Sequence, residues 1–260
     1  RQLEAQFPHP PVLGESKPVL ETRSLEGAGI RNISLMLHAG EILGVGGLAG
    51  HGHRELFFSL FGAETTTGGE IIVDGTRRRI RSPRDAARLG IALVPEDRKT
   101  EGLLLPMSVG VNLTLAVLPQ ISVMGVIRGA HERRLSMDMV ESLKVRTPGL
   151  RNPVGQLSGG NQQKVLLARW LLADSRIVLL YDVTRGVDVA TKHEIYELMM
   201  QLVREGRSIL FYSSDAEELA HLCHRVLVMR EGQVAAELKA PDITAEAIVS
   251  AAVREAERVD

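Results

Sequence analysis

Short apolar runs alternate along the chain with stretches in which apolar residues recur at helical spacing. The runs are rich in β-branched residues and bounded by turn residues, as expected of strands buried on both faces. Residues 165–172 are apolar nearly all round, which indicates a buried helix. This alternation predicts an α/β domain with a mainly parallel sheet. The predicted strands are residues 42–45, 71–73, 91–94, 177–181, 209–212 and 226–229, and the predicted helix faces are Leu135, Met139, Val140 and Leu143, and Ile195, Leu198, Met199, Leu202 and Val203.

Two regions depart from this alternation. Residues 19–39 and 70–81 have the pattern of antiparallel strands, with a turn at Asp74-Gly75. Residues 103–157 contain mostly helix signals and no clear strand. We therefore expect an α/β core that carries an antiparallel β-subdomain and a helical insertion.

The start of the chain has a different composition. Residues 1–18 are rich in proline and polar residues and show no periodicity, so they are predicted to be a linker. Residues 19–260 are predicted to form one folded domain, with the helical insertion at 103–157. Because the first residue is Arg1 rather than Met, we expect a piece of a longer chain.

The composition argues against a nucleic-acid-binding, a disulfide-rich and a membrane-spanning protein. The net charge is −1 and aromatic residues make up 3%, which argues against a nucleic-acid partner. The single Cys223 excludes an internal disulfide framework and suits a reducing cytosol. No apolar run approaches the roughly 18 residues that cross a bilayer, so a role at a membrane requires a partner. A cluster of arginines is interpreted as a solvated hairpin and turn; its members are Arg77, Arg78, Arg79, Arg81 and Arg84.

A glycine-rich turn, the phosphate loop (residues 46–55), lies between the predicted strand at 42–45 and a helical stretch. Such a turn lets backbone N–H groups converge on an anion at the positive end of a helix. Gly47 and Gly52 have the spacing of the P-loop pattern G-x-x-x-x-G-K-[ST]. His53 stands in place of the lysine, however, and Arg54 in place of the serine or threonine. A glycine turn without a ligand is the alternative interpretation.

These two replacements change the chemistry of the loop. Lysine would reach the β- and γ-phosphates, and the hydroxyl would ligate Mg²⁺. Histidine is shorter and mostly neutral near its usual pKa of about 6.5, and arginine cannot ligate a metal. His51 and His53 lack a companion set of ligands, so no metal site is predicted. The loop can still hold a nucleotide, and its candidate contacts are Gly47, Gly50, Gly52, His53 and Arg54.

A second anion-binding helix start occurs in the signature loop (residues 157–164, LSGGNQQK), which leads into the predicted buried helix. Ser158 can cap this helix, and Gly159 and Gly160 leave its first N–H groups open. A simple N-cap with two glycines would explain the helix start, but it would not explain the whole string. Ser158, Gly159, Gly160 and Gln162 are therefore further candidate nucleotide contacts.

The string LSGGNQQK resembles the signature motif of ABC-transporter ATPases, in the form typical of sugar importers. Residues 94–99 resemble the Q-loop of the ribose, galactose and xylose importer ATPases, with Glu96 in place of glutamine. Residues 184–188 resemble their D-loop, and residues 3–8 resemble the linker between their two fused ATPase domains. The resemblance covers essentially the whole chain. It implies the P-loop ABC-ATPase fold, and His53 fits the lysine-less P-loop of the second domain in this family.

The chain departs from the family pattern at further positions. Tyr181 stands where the Asp that positions Mg²⁺ belongs, and Asp182 where the catalytic Glu belongs. Ser214 occupies the switch position, where the family often has His, and residues 19–30 contain no aromatic to stack on adenine. We therefore expect no ATP hydrolysis at this phosphate loop, although Asp182 and Glu96 are the candidate catalytic residues.

The resemblance also implies partners. In the family, two such domains pack head to tail, and each ATP lies between the P-loop of one and the signature loop of the other. This domain would lend Ser158, Gly159 and Gly160 to ATP on an amino-terminal ABC ATPase domain, and Mg²⁺ would lie mainly at that partner's site. A groove lined by the helical insertion and the Glu96 loop would seat a transmembrane permease, with a periplasmic sugar-binding protein as an indirect partner. The domain would be peripheral, on the cytoplasmic face of the bacterial inner membrane.

Two other functions fit parts of the sequence. The first is a soluble ABC ATPase acting on ribosomes or DNA, which would be expected to have basic patches or a coiled-coil insertion, and neither is found in the sequence. The second is a regulatory pseudo-ATPase whose phosphate loop binds no nucleotide. Whether the domain is itself an enzyme therefore remains open at this point, and ATPase activity is expected of the assembled importer.

Overall fold

The protein is described here by a computed structural model that covers residues 7–253. Its strands form two main sheets and one short hairpin. The strands in this part of the chain are β1 (Pro18–Gly27), β2 (Ile30–His38), β3 (Ile42–Gly47), β4 (Thr66–Val73), β5 (Thr76–Arg78), β6 (Ile91–Val94), β7 (Ser122–Val123), β8 (Val126–Ile127), β9 (Ile177–Tyr181), β10 (Ser208–Tyr212), β11 (Arg225–Arg230) and β12 (Gln233–Lys239).

The central sheet has the strand order β12-β11-β3-β10-β9-β6. All neighbouring pairs are parallel except β11 and β12, which form an antiparallel hairpin. The strands β3, β6, β9 and β10 are buried along almost their whole length, which explains their continuous apolar runs. The predicted mainly parallel sheet is confirmed, and each predicted strand lies in an observed one.

A second sheet is antiparallel, with the order β2-β1-β4-β5. The turn between β4 and β5 is Asp74-Gly75, and both residues have positive φ, at 50° and 71°. Positive φ at both central residues is what a two-residue turn between right-twisted strands requires. The antiparallel strands predicted at 19–39 and 70–81 are therefore confirmed.

Helices cover both faces of the central sheet. Because successive side chains of a strand point to opposite faces, Ile42 packs in one core cluster while Leu43 and Val45 pack in the other. No helix within residues 7–253 combines the length and apolar character needed to span a membrane. The helices of these residues are α1 (His53–Leu60), α2 (Pro83–Arg88), α3 (Val109–Thr114), α4 (Leu118–Ile121), α5 (Gly129–Ser142), α6 (Gly159–Leu172), α7 (Val189–Arg204), α8 (Ala216–Leu222) and α9 (Ala245–Val253).

The predicted helix faces match the observed burial. In α7, four of the five predicted residues are buried, and Leu198 packs against them from the edge of the core. In α6, residues 165–168 are all buried, as the continuous apolar run predicts. In α5, Met139 and Val140 pack against the same core while remaining partly exposed, and Leu143, directly after the helix, does the same. Leu135, the fourth residue of that predicted face, is partly buried.

The helical insertion contains strands that the sequence did not reveal. The expectation that residues 103–157 contain no strand is wrong, because β7 and β8 form a hairpin there. Its turn, Met124-Gly125, has positive φ at both residues, at 51° and 80°. Two-residue strands are too short to produce a recognisable alternation, which explains the miss. The division of the chain into a linker, a core and a helical insertion stays a prediction.

The amino-terminal segment from residue 7 to residue 17 contains no helix or strand, and it lies on the core. The ring of Phe7 stacks on that of His221 at 4.6 Å and lies 5.4 Å from that of Tyr196. The carbonyl oxygen of Pro11 accepts a hydrogen bond from His224 Nε2 at 2.7 Å. Residues 1–6 of the predicted linker, including most of the family-like stretch 3–8, lie outside the described residues.

Candidate functional site

The phosphate loop connects β3 to α1 at the carboxyl end of the parallel strands, where open α/β sheets bind ligands. A Cβ at Gly47 would lie 2.3 Å from the carbonyl oxygen of Met229, and a Cβ at Gly52 would lie 2.5 Å from that of Gly29. Both positions also have positive φ, at 139° and 94°, so both require glycine. Gly50 has no atom within 4 Å of an added Cβ. The loop thus keeps an open side next to the start of α1, which fits a phosphate group.

The His53 side chain lies beneath the loop. It is 1% exposed, its ring packs 4.6 Å from that of Tyr212, and its Nε2 lies 3.1 Å from the carbonyl oxygen of Gly46. Burial lowers the pKa of His53 to about 4, against the smaller opposing effect of the Gly46 hydrogen bond. A neutral ring that donates to Gly46 cannot replace a lysine at a triphosphate. A side-chain contact between His53 and nucleotide is not supported by this geometry, and only its backbone N–H remains a candidate.

Arg54 has a charged guanidinium at the position where the P-loop pattern has the serine or threonine whose hydroxyl ligates Mg²⁺. Its Nη2 donates to Glu101 Oε1 at 2.6 Å, and its guanidinium lies 3.7 Å from the centroid of the Phe58 ring. Glu101 belongs to a single turn of π-helix at Arg98–Gly102, which begins within the last residues of the Q-loop-like segment. Arg54 therefore ties α1 to that segment by an ion pair.

Tyr181 occupies the position at which the family resemblance places a metal-binding carboxylate. It ends β9 in register with Tyr212 of β10, and the two rings stack at 4.8 Å with an angle of 14°. Phe57 packs against its edge at 5.6 Å. Burial raises the pKa of the Tyr181 hydroxyl far above its ordinary value, so the side chain is a neutral phenol. With Tyr181 and Arg54 at these two positions, the residues present do not fit Mg²⁺.

Asp182 follows β9 with its carboxylate turned toward the switch position. It is 2% exposed, and its Oδ1 accepts hydrogen bonds from the backbone N of Ser214 at 3.0 Å and from its Oγ at 3.1 Å. Burial raises the pKa of Asp182, although the two hydrogen bonds from Ser214 favour the charged form. The candidate catalytic carboxylate is thus held by a neighbouring loop of the same chain.

Glu96, the other candidate catalytic residue, also has a partner. Its Oε1 accepts a hydrogen bond from Arg185 Nη1 at 2.5 Å, and the glutamate side chain is 34% exposed. Arg185 lies in the D-loop-like segment, so this ion pair joins the Q-loop-like and D-loop-like segments at the surface.

The signature loop begins α6 with an exposed serine. Ser158 occupies the N-cap position, but the prediction that its side chain caps the helix is wrong. Its Oγ instead accepts a hydrogen bond from Asn161 Nδ2 at 2.8 Å. Asn161 is itself fixed, because its Oδ1 accepts from the backbone N of Arg146 at 2.7 Å. The Ser158 hydroxyl therefore keeps its own proton available as a donor.

The two glycines of the signature loop lie against other elements. A Cβ at Gly159 would lie 2.6 Å from Nη2 of Arg98, which is the end of a flexible side chain. A Cβ at Gly160 would lie 2.5 Å from Oγ1 of Thr191, in the first turn of α7. Gly160 therefore lets α6 pack directly on the start of the helix that follows the D-loop-like segment.

The Gln162 side chain is buried. It is 5% exposed, its Nε2 donates to the carbonyl oxygen of Leu157 at 3.0 Å, and its Oε1 accepts from Arg98 Nε at 3.3 Å. The Gln162 side chain is thus engaged within the protein, and the nucleotide contact expected of Gln162 stays a prediction. Its amide faces inward because it satisfies the backbone of the turn before α6.

The structure gathers the phosphate-loop side of the candidate site at the ends of β3, β9 and β10, where His53, Tyr181 and Ser214 lie. Within residues 7–253, no hydrogen bond or ion pair joins the signature loop to the phosphate loop. Sequence analysis missed Glu101 and Tyr212. Glu101 is one acidic residue in a polar segment, without a periodic signal. Tyr212 ends a predicted strand beside Tyr181, so a register between the two strands would have identified it.

The chain matches a known protein family and is similar in sequence to proteins of known name. A family model described as ABC transporter matches residues 30–185. The chain is similar to ribose import ATP-binding protein RbsA 1 of Mesorhizobium japonicum, with 47% identity over 97% of this chain and 50% of that protein. It is also similar to ribose import ATP-binding protein RbsA of Geobacillus kaustophilus, with 42% identity over 97% of this chain and 51% of that protein. The chain spans about half the length of the curated relatives it matches.

Solved structures resemble this fold at low sequence identity. A nucleotide-free ATP-binding cassette from an ABC transporter has a TM-score of 0.72 and 18% identity, over 85% of this chain and 91% of that one. A dimeric cassette in a post-hydrolysis state bound to ADP and Pi has a TM-score of 0.72 and 18% identity, over 85% of this chain and 98% of that one. These likenesses confirm the predicted fold, an α/β core of the ATP-binding cassette type.

Proposed function

The chain belongs to the ABC transporter family, and we propose that it is the carboxy-terminal nucleotide-binding domain of a bacterial sugar importer. In this proposal its signature loop serves an ATP held by a partner ATPase domain, while its own phosphate loop does not hydrolyse ATP. The observation that carries the proposal is the contrast between the two loops. The exposed Ser158 keeps a free donor at a helix start, whereas His53 is buried and Tyr181 replaces a carboxylate.

The signature loop offers suitable chemistry for a phosphate. The N-terminus of α6 has open N–H groups and a partial positive charge equivalent to about half an elementary charge. The Ser158 hydroxyl adds a donor whose position is set by Asn161. Donors fixed before the ligand arrives stabilise developing negative charge without reorganisation, which is the main requirement at a phosphoryl-transfer site.

The phosphate loop supports binding without hydrolysis. Its glycines leave an open side at the start of α1, and backbone N–H groups suffice to hold a phosphate. Arg54 and Tyr181 do not fit Mg²⁺, and Asp182 already accepts two hydrogen bonds from Ser214. A nucleotide bound here would help to keep two domains together, and ATP with Mg²⁺ would turn over at the partner's site.

The relatives support the proposed partners. Their names specify ribose import, which supports a sugar importer with a transmembrane permease and an indirect periplasmic sugar-binding protein. Their length supports an amino-terminal ABC ATPase domain in the same polypeptide as this chain. The domain would then be peripheral, on the cytoplasmic face of the bacterial inner membrane.

A cavity in the helical insertion is the proposed docking place for the permease. It has a volume of about 1170 Å³ and is lined by α3, α5 and residues 147–152. Glu96 does not line it, so the expected contribution of that loop to the same groove is not supported.

A second candidate function, a regulatory domain that binds no nucleotide, is favoured by the burial of His53 and the Arg54–Glu101 ion pair. Calorimetric titration of the chain with ATP separates the two. Measurable binding favours the importer domain described above, and no binding at millimolar ATP favours the regulatory domain.

The proposal predicts that Gly159→Asp abolishes most ATP-driven sugar uptake in vesicles that contain the complete importer. A carboxylate at the first residue of α6 would place negative charge beside the partner's phosphate, and Arg98 is flexible enough to make room. The control is Gly14→Asp, at an exposed glycine outside both loops and outside the cavity of the helical insertion, where an added side chain meets nothing within 4 Å. Uptake should be normal in the control. Equal uptake in both variants would contradict the proposal.

A further inference from the structure

A buried carboxylate outside the predicted sites joins three elements. Glu218, in α8, is 0% exposed. Its Oε2 accepts hydrogen bonds from Thr184 Oγ1 at 2.6 Å and Ser213 Oγ at 2.7 Å. Its Oε1 accepts from Lys192 Nζ at 2.6 Å and from the Tyr196 hydroxyl at 2.7 Å. Each carboxylate oxygen therefore has two donors, one pair from the loops that follow β9 and β10 and one pair from α7.

We propose that Glu218 is a positioning residue that holds the D-loop-like segment, the switch segment (residues 213–215) and the first turns of α7 in one fixed arrangement. Its effect on transport rests on the proposed function, because the D-loop-like segment and the signature loop serve the partner's ATP only under that proposal. Its effect on the structure of this chain does not depend on that function.

The four hydrogen-bond donors around Glu218 explain why a charged carboxylate is tolerated at this buried position. Taking a carboxylate out of water is costly unless it is paired and hydrogen-bonded, and here both oxygens are satisfied. Burial disfavours the charged form of Lys192, but the hydrogen bonds and charges of Glu218 and, to a smaller extent, of Asp215 at 3.6 Å together outweigh it and raise the lysine pKa. Removing the charge of Glu218 while keeping its shape would leave the Lys192 ammonium facing a neutral amide.

A second carboxylate strengthens the link between the same two loops. Asp182, just before the D-loop-like segment, accepts two hydrogen bonds from Ser214 of the switch segment. Glu218 binds the neighbouring residues of both loops, Thr184 and Ser213. The loops are therefore joined at two adjacent points. If only the Asp182–Ser214 contact remained, the two loops could rotate about it. The Glu218 contact therefore fixes their relative orientation.

The arrangement reaches the signature loop through α7. Lys192 lies next to Thr191, whose side chain fills the space where a Cβ of Gly160 would lie. Thr191 is further fixed by Asp188, which accepts hydrogen bonds from its backbone N at 3.0 Å and its Oγ1 at 2.8 Å. Glu218 is therefore connected to the glycines of α6 by a series of contacts through Lys192 and the first turn of α7.

The test is hydrogen–deuterium exchange on the 260-residue chain carrying Glu218→Gln. We expect amide exchange in residues 183–188 and 213–216 to accelerate by about tenfold or more, since hydrogen bonds to a charged group are lost. The matched control is Glu217→Gln, one position earlier in α8, where the carboxylate is half exposed and, among residues 7–253, forms an ion pair with His221 alone. Exchange in the control should stay within about twofold of the parent chain.

A double variant tests the role of charge directly. In Glu218→Gln with Lys192→Met, the Gln oxygen accepts from Thr184 and Ser213, and its amide donates to Tyr196. No ammonium then faces the neutral amide, so protection of both loops should return to a large extent. If Glu218→Gln lowers the overall stability too far for exchange to be local, Thr184→Val removes one donor without changing side-chain shape. It should accelerate exchange in residues 183–188 alone.

Unchanged exchange in Glu218→Gln, or equal acceleration in Glu217→Gln, would overturn the positioning role. Uptake by the complete importer then separates the two proposals. Accelerated exchange together with reduced uptake supports both of them. Accelerated exchange with normal uptake would keep the positioning role and contradict the proposed function, in which these loops serve the partner's ATP.

Discussion

Three side chains change the chemistry of the phosphate loop in different ways. His53 is neutral and buried under the loop, so it supplies no cation to a triphosphate. Arg54 supplies a cation, but Glu101 neutralises it at 2.6 Å. Tyr181 replaces a carboxylate by a neutral ring stacked on Tyr212. Each of the three side chains is packed or paired with the rest of the domain, which supports the proposal that this loop does not hold Mg²⁺.

The burial of His53 predicts a pH dependence of stability. Its pKa is lowered to about 4 in the folded chain, and the unfolded value is about 6.5. The unfolded chain therefore takes up the proton first, and stability present above pH 6.5 is lost as the pH falls toward 4. The expected loss from this residue between pH 7 and pH 5 is about 2 kcal/mol.

The measurement is the free energy of unfolding by urea at both pH values, for the parent chain and for His53→Gln. Glutamine keeps a buried donor for Gly46 but does not titrate, so its loss of stability should be smaller by that amount. An identical pH dependence in both chains would show that His53 is not buried in its neutral form.

At the scale of structural elements, the loop between β3 and α1 leads to a prediction about how nucleotide binding depends on Mg²⁺. Its backbone donors do not need a metal, and neither Arg54 nor Tyr181 ligates one. ATP should therefore bind weakly, and with nearly the same affinity in excess Mg²⁺ as in excess chelator. Calorimetric titration under both conditions measures this. An affinity gain of tenfold or more with Mg²⁺ would mean that another group, such as Asp182, holds the ion.

The sequence predicted those elements whose formation depends on residues close together in the chain. The strands of the central sheet are buried on both faces, so each leaves a continuous apolar run, as at residues 177–181. The hairpin of β7 and β8 is too short to leave a pattern. The orientation of Gln162 depends on Arg98 in a distant segment, and the burial of His53 depends on Tyr212 of another strand. Residue types at the site were therefore predictable, whereas their side-chain contacts were not.

For the molecule as a whole, the proposed division of labour predicts negligible ATPase activity for this chain alone. In that proposal the parts required for hydrolysis lie on the partner domain, because His53, Arg54 and Tyr181 stand where the family resemblance places the lysine, the metal-binding hydroxyl and the metal-binding carboxylate. Phosphate release from the purified chain with Mg-ATP should stay at the background of the assay. A turnover near 1 per second, which is within the usual range of enzymes, would contradict this expectation.

The central claim is that the signature loop of this domain, and not its phosphate loop, serves ATP hydrolysis. It is tested most directly by ATP-driven sugar uptake in vesicles containing the complete importer with Ser158→Ala or His53→Gln. Ser158→Ala removes a preorganised donor, and uptake should fall about a hundredfold. His53→Gln keeps the buried hydrogen bond to Gly46, and uptake should stay close to normal. Normal uptake with Ser158→Ala and a severe defect with His53→Gln would contradict the claim.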